Sequence, residues 1–195
     1  MSADFTEVRI LDNFYQTSSF FPMPVVLVST LSSSGQTNLG PYSLCFPHMI
    51  TGGRDHGMML IARGTSNTAE NIIRTRVCAI NFIPDKKKYM KNCVMLGYPG
   101  ETTEQKMKNS IFSLIPSTRD NSQGAQKYPL IVQEAFQIFE CTWDERYPLK
   151  PHEELVECHF LLRIDKIIMK KKWRDCLFKG KGFPRMPIDY GYRDN

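Results

Sequence analysis

Residues Arg63, Gly64, Thr65, Ser66, Asn67 and Thr68 stand in an order that suits an anion. An apolar run delivers Arg63, Gly64 lets the backbone turn closely, and hydroxyls follow at Thr65, Ser66 and Thr68 as a helix opens. Free N–H groups and the positive end of a helix dipole favour a phosphate there, and a guanidinium can pair its oxygens bidentately. The same residues also describe an ordinary capped helix with a surface arginine, and by themselves they leave both readings open.

A second stretch with chemical content runs over residues 25–43. An apolar strand enters a Ser-rich turn ending at Gly35, and the returning segment carries Asn38, Gly40-Pro41 and Ser43, a hairpin with polar side chains gathered just beyond it. Histidines stand at positions 48, 56, 152 and 159, but their spacing fits no metal motif. His159, between Cys158 and Phe160, is expected to be a hydrogen-bonded barrel histidine. The six cysteines form no Cys-x-x-Cys pair and most lie beside apolar residues, so they are expected to be free thiols packed as small hydrophobes.

The elements that must carry these residues are short β-like runs between turn signals, at 25–31, 58–62, 77–83, 136–143 and 160–168. Such spacing indicates an antiparallel sheet or barrel. The first three runs are nearly continuous in apolar residues, which fits strands covered on both faces, and their β-branching favours strand over buried helix. A helix is predicted to start near Thr68 with Asn67 as N-cap and Glu70 folding back in a capping box. A second is predicted over 102–112, with Met107 and Ile111 on one face and Pro116 ending it. Residues 116–129 read as a polar loop. The tail from Lys179, rich in Gly and Pro, reads as irregular, yet Phe183, Tyr190 and Tyr192 suggest that it docks.

At 195 residues, with 42% hydrophobic and 23% charged, the chain is expected to form one globular domain over 1–195 with an extended tail from about 179. Asp4, Glu7, Arg9 and Asp12 interrupt the N-terminal residues, and Pro22 and Pro24 break the densest apolar stretch. Neither an export signal nor a spanning helix is expected, which points to a soluble, cytoplasmic protein without a membrane partner. The net charge of +5 rests partly on two short lysine runs, 86–88 and 170–172, read as solvated faces. They lack the interleaved aromatics of a nucleic-acid site, so no nucleic acid is expected, only attraction for anionic nucleotides.

Together the two stretches resemble the flavin reductase-like FMN-binding family, including flavoredoxin. The family pattern is a strand ending in Val-Thr, a Gly-containing turn, Asn-x-Ala-Pro-x-Ser, a Thr-x-x-Asn-Ile helix start and a strand with Val-Asn. This chain has Val28-Ser29-Thr30, Gly35, Asn38-Leu39-Gly40-Pro41-Tyr42-Ser43, Thr68-Ala69-Glu70-Asn71-Ile72 and Ile80-Asn81-Phe82 in the same order. Phe139-Glu140-Cys141 and His159-Phe160-Leu161-Leu162 resemble the closing strands, while Gly40 stands where alanine is usual and Ile164 where glycine is frequent.

The resemblance implies a mainly β fold, a six-stranded antiparallel Greek-key split barrel flanked by short helices, forming a homodimer with FMN near the subunit boundary. Carried across by position, Asn38 and Ser43 would lie beside the isoalloxazine ring, with the backbone of Tyr42, Ser43, Leu44 and Cys45 alongside it. Arg63, Thr65, Ser66 and Thr68 would hold the phosphate, in agreement with the anion reading. His48 follows directly on the implied flavin loop and is kept as a candidate catalytic residue. No metal is expected. The implied activity is NAD(P)H-dependent reduction of the flavin, passing electrons to free flavin, a monooxygenase or another redox protein. No Gly-x-Gly-x-x-Gly fingerprint is present, so NADH or NADPH would bind outside a Rossmann domain. The alternative is a flavoredoxin-like carrier that takes electrons from a protein donor.

Overall fold

A computed structural model describes residues 6–11, 14–50, 55–119, 127–144, 146 and 157–190. Its helices are α1 (Phe14–Thr17), α2 (Asn67–Thr75), α3 (Lys87–Leu96), α4 (Thr103–Lys108) and α5 (Lys171–Lys179). The strands are β1 (Met23–Pro24), β2 (Val26–Leu31), β3 (Thr37–Tyr42), β4 (Cys45–Ile50), β5 (Asp55–Arg63) and β6 (Val77–Phe82). They continue with β7 (Leu114–Ile115), β8 (Ile131–Val132), β9 (Gln137–Trp143), β10 (Glu157–Met169) and β11 (Ile188–Asp189).

Seven strands form one curled antiparallel sheet in the order β3-β2-β6-β9-β10-β5-β4, one more than the six of the resemblance. The period-2 alternation sends Val26, Val28, Cys78, Ile80, Phe160 and Leu162 to the concave face, where Ala69 and Ile72 of α2 plug the curl. On the convex face Leu27, Leu39 and Ala79 pack against Tyr89, Cys93 and Leu96 of α3. Strand β2 is therefore buried along its whole length and β6 nearly so, as their continuous apolar runs require. Strand β5 departs from that expectation. Met59 and Ile61 are only half-buried, because the packed helices cover the β3-β2-β6 end of the sheet and leave the outer face of β5 open.

The register of β10 slips between Ile164 and Lys166. This bulge turns Ile168 to the convex cluster although Phe160, Leu162 and Ile164 face inward. His159 follows the same alternation outward, so the histidine expected to be a hydrogen-bonded barrel residue lies exposed on the surface of β10.

Several helix boundaries also differ from the sequence reading. Ser66, not Asn67, caps α2, its Oγ accepting from Ala69 N at 3.1 Å. Ala69 thus takes the third helical position and Glu70 stands one residue too far for the box. The full capping box forms instead at α4, between Thr102 and Gln105. That helix ends at Lys108 rather than near residue 112. The Asn92 side chain donates to Asn109 O at 2.7 Å and accepts from Ile111 N at 3.1 Å, drawing the chain into extended structure and leaving Ile111 exposed.

The two lysine runs are solvated as expected, but each opens a helix, α3 and α5, that the sequence reading did not foresee. The tail is not wholly irregular: Ile188 and Asp189 pair with Pro24 and Met23. His152, Gly124 and Tyr192 lie outside the described residues, as does much of the 116–129 loop. No helix among the described residues is long and apolar enough to cross a membrane.

Cys45, Cys78 and Cys141 all project into the concave core, where burial pushes the Cys45 and Cys141 thiols well up from their ordinary value. Cys93, on the other face, is pushed up to about 12 by burial. A thiol reagent at neutral pH should therefore modify half-buried Cys176 in the native protein and reach these four only on unfolding. Mass spectrometry of timed labelling checks this, and native labelling of Cys78 or Cys141 at the Cys176 rate would contradict the packing.

Candidate functional site

A cavity of about 670 Å³ opens where β3, the turn after β5 and the segment between α3 and α4 meet. That volume lies within the range of small-molecule and cofactor sites. Its floor is Gly40, Pro41 and Tyr42, at the end of β3. One wall is Arg63, Thr65, Ser66 and Thr68, where β5 turns into the N-terminus of α2. The opposite wall is residues 96, 97 and 99–102 with Lys106, and Asn67 Nδ2 ties the two together by donating to Glu101 O at 2.9 Å.

The phosphate-type residues are thus brought together. The Arg63 side chain is exposed and makes no ion pair or hydrogen bond among the described residues, while its backbone carbonyl accepts from Ser66 N at 3.0 Å. Ser66 Oγ caps the helix and lies 3.4 Å from Tyr42 Oη. Burial pushes the Tyr42 phenol up, outweighing the opposing hydrogen bonds of Ser66 and Thr68 and the Arg63 charge, so it stays neutral at pH 7. Ser43 and Leu44 also line the cavity, with Leu44 O accepting from Ile61 N at 3.0 Å.

Three of the candidates lie elsewhere. Asn38 is 1% exposed, beneath the floor. Its Nδ2 donates to Thr68 Oγ1 at 3.4 Å and Thr30 Oγ1 at 3.5 Å, and its Oδ1 accepts from Thr103 Oγ1 at 3.4 Å. It orients Thr68 and docks α4, but it does not line the cavity. Cys45 points into the concave core. His48 is half-buried on β4 opposite Gly57 and does not line the cavity either. Among the described residues no cluster of metal-ligating side chains forms.

The sequence reading missed Lys106 and Gln16, both of which line the cavity. Burial lowers the Lys106 ammonium from its ordinary value, the Glu101 charge opposing, and the ammonium makes no ion pair or hydrogen bond among the described residues. The local signal for Lys106 was its place near the start of a predicted helix. Nothing near Gln16 in sequence marks it.

Gly40, the departure from the family's alanine, has a steric cause. A Cβ there would lie 2.7 Å from Thr68 Oγ1 and 2.9 Å from Tyr42 Cε2. The glycine makes room for the Tyr42 ring over the floor.

No protein-family model matches the chain, and no curated protein matches it. Solved structures do. Component B of nitrilotriacetate monooxygenase from Bacillus cereus aligns with TM-score 0.66 at 17% identity, over 87% of this chain and 84% of its own. The 2-nitrobenzoate 2-nitroreductase of Pseudomonas fluorescens aligns with TM-score 0.64 at 18% identity, over 86% and 78%. Flavoredoxin from Methanosarcina acetivorans aligns with TM-score 0.63 at 16% identity, over 87% and 78%. The chain has the split-barrel fold of the flavin reductase-like proteins, and the resemblance read from its motifs is matched in three dimensions.

Gly40→Ala should destabilise the protein by about 1–3 kcal/mol, the usual cost of overpacking a filled site. Urea denaturation measures it. An unchanged midpoint would mean that Thr68 and the Tyr42 ring move aside freely.

Proposed function

We propose that this protein binds FMN in the cavity and works as an NAD(P)H-dependent flavin reductase. The observation that carries the reading is the convergence at one end of the cavity: Arg63, Thr65, Ser66 and Thr68 stand at the N-terminus of α2. That end offers a free guanidinium, hydroxyls and a helix dipole, the groups a phosphate monoester takes. Lys106 adds a second, partly desolvated cation whose one opposing charge among the described residues is that of Glu101.

When bound, the flavin supplies the hydride and electron chemistry. The chain's own residues then have three tasks. Arg63 and the α2 N-terminus would hold the phosphate, the Gly40 to Leu44 backbone would line the place of the ring, and the neutral Tyr42 phenol stands against Ser66. None of these tasks needs a nucleophile, so His48, outside the cavity, has no place in the reading. That a solved structure of similar fold is one component of a monooxygenase supports a role beside a partner enzyme. Steady-state oxidation of NADH and NADPH by the flavin-loaded protein tests the reductase reading. Absence of turnover with both, alongside tight FMN binding, would leave a flavoredoxin-like carrier with a protein donor.

The assembly belonging to this reading is a homodimer. Helix α5 buries no residue, and Leu177 and Phe178 are 55% and 89% exposed, so apolar surface remains to be covered. Light scattering at micromolar concentration should give about twice the 22.5 kDa of one chain. A mass equal to one chain overturns the dimer.

Arg63→Ala removes a charge-assisted pair worth roughly 1.5–3 kcal/mol, so FMN affinity should fall on the order of tenfold to a hundredfold. Riboflavin, which has no phosphate, should bind mutant and parent alike. Fluorescence quenching at one salt concentration measures both. Equal FMN affinity in mutant and parent would remove Arg63 from the site.

A further inference from the structure

The cavity is lined in part by Gln16 of α1, a four-residue helix with no buried residue of its own. The C-terminal tail holds it in place. Phe183 meets Phe136 with ring centroids 6.5 Å apart, Asp85 N donates to Arg185 O at 2.7 Å, and Met186 packs against the concave core. Val25 N then donates to Pro187 O at 2.9 Å, and β11 pairs with β1. Beyond it the Tyr190 ring stacks on Phe20 at 6.0 Å. Along this strap Asp189 Oδ2 accepts a hydrogen bond from Gln16 Nε2 at 3.3 Å, across 173 residues of sequence.

That contact determines which end of the Gln16 amide faces which way. An ionised carboxylate only accepts, so Asp189 can pair with the NH2 group and not with the carbonyl. Oε1 is left as an acceptor without a partner among the described residues, on a side chain that lines the cavity. A phosphate dianion has nothing to donate to it. Gln16 therefore suits the part of a ligand that donates hydrogen bonds.

We propose that Gln16 is a ligand-binding residue of this cavity. Its Oε1 accepts from a ring N–H or a sugar-alcohol hydroxyl of the flavin, and Asp189 of the C-terminal tail is its positioning residue. The proposal rests on the flavin reading above. It gives the tail a task, holding one wall of the site, that is separate from the phosphate anchor.

The test is a double-mutant cycle read by fluorescence quenching with FMN and with riboflavin. Gln16→Met keeps the length of the side chain and removes the acceptor, and Asp189→Asn keeps the shape and frees the amide to turn. Gln16→Met should weaken both flavins equally, by about three- to tenfold, the loss of one neutral hydrogen bond. Asp189→Asn should weaken both by less, and should add nothing in the Gln16→Met background, while thermal midpoints stay within the parent's range. Unchanged affinity for both flavins in Gln16→Met overturns the ligand contact. An Asp189→Asn effect that persists undiminished without Gln16 overturns the positioning role. A loss for FMN alone would place Gln16 at the phosphate and overturn the assignment of its oxygen. A parent that binds neither flavin overturns the flavin reading itself, and this inference with it.

Discussion

The site depends on a buried network of neutral amides and hydroxyls that runs beneath its floor and ends at Thr68 in its wall. Asn38 on β3 reaches Thr30 on β2, Thr68 on α2 and Thr103 on α4, while Asn71 of α2 donates to Thr30 Oγ1 at 3.1 Å. Five residues from four elements, all buried, satisfy one another where water does not reach. Arg74 extends the tie by donating to Leu31 O and to Asn71 Oδ1. The network holds the α2 N-terminus at the end of β3, and the cavity is the space left between them.

A second buried polar assembly stiffens the opposite side of the sheet. Glu140, fully buried on β9, accepts from Ser117 Oγ at 2.6 Å, Thr118 N at 2.9 Å and Thr118 Oγ1 at 2.9 Å. The Arg119 guanidinium lies within 3.9 Å of Glu140 and donates to the carbonyls of Cys78 and Cys141, bridging β6 and β9. A buried carboxylate so surrounded exchanges its hydration for fixed donors. Residues 117–119, part of a segment that reads in sequence as a polar loop, are thereby pinned to the sheet.

Local pattern carried much of the fold and part of the site. The runs at 25–31 and 77–83 became β2 and β6 because a continuous apolar run is stable as a strand only when both faces are covered, and α3 supplies the second cover. Arg63, Thr65, Ser66 and Thr68 were legible because they are consecutive across one strand-to-helix turn, and their geometry follows from that turn. The cap of α2 was one residue off for a tertiary reason. Ser66 and Asn67 are both good caps, and the bond from Asn67 to Glu101 O takes its side chain away from the helix. Lysine runs hid α3 and α5, since cations at a helix N-terminus oppose the dipole and mark no start.

What the sequence by itself determined was therefore short-range: strand periodicity, the β2–β3 hairpin, and the strand-to-helix turn before α2. Only the tertiary structure decided which polar residues face the cavity and which support it from below. Asn38 and Tyr42, four apart on β3, have opposite fates because the first is enclosed by α2 and α4 and the second lies at their open edge. Lys106 and Gln16 belong to the site only because α4 packs on β3 and the two chain ends pair as β1 and β11. Residues separated by most of the chain become neighbours through the burial of apolar surface, a long-range interaction that no local periodicity encodes.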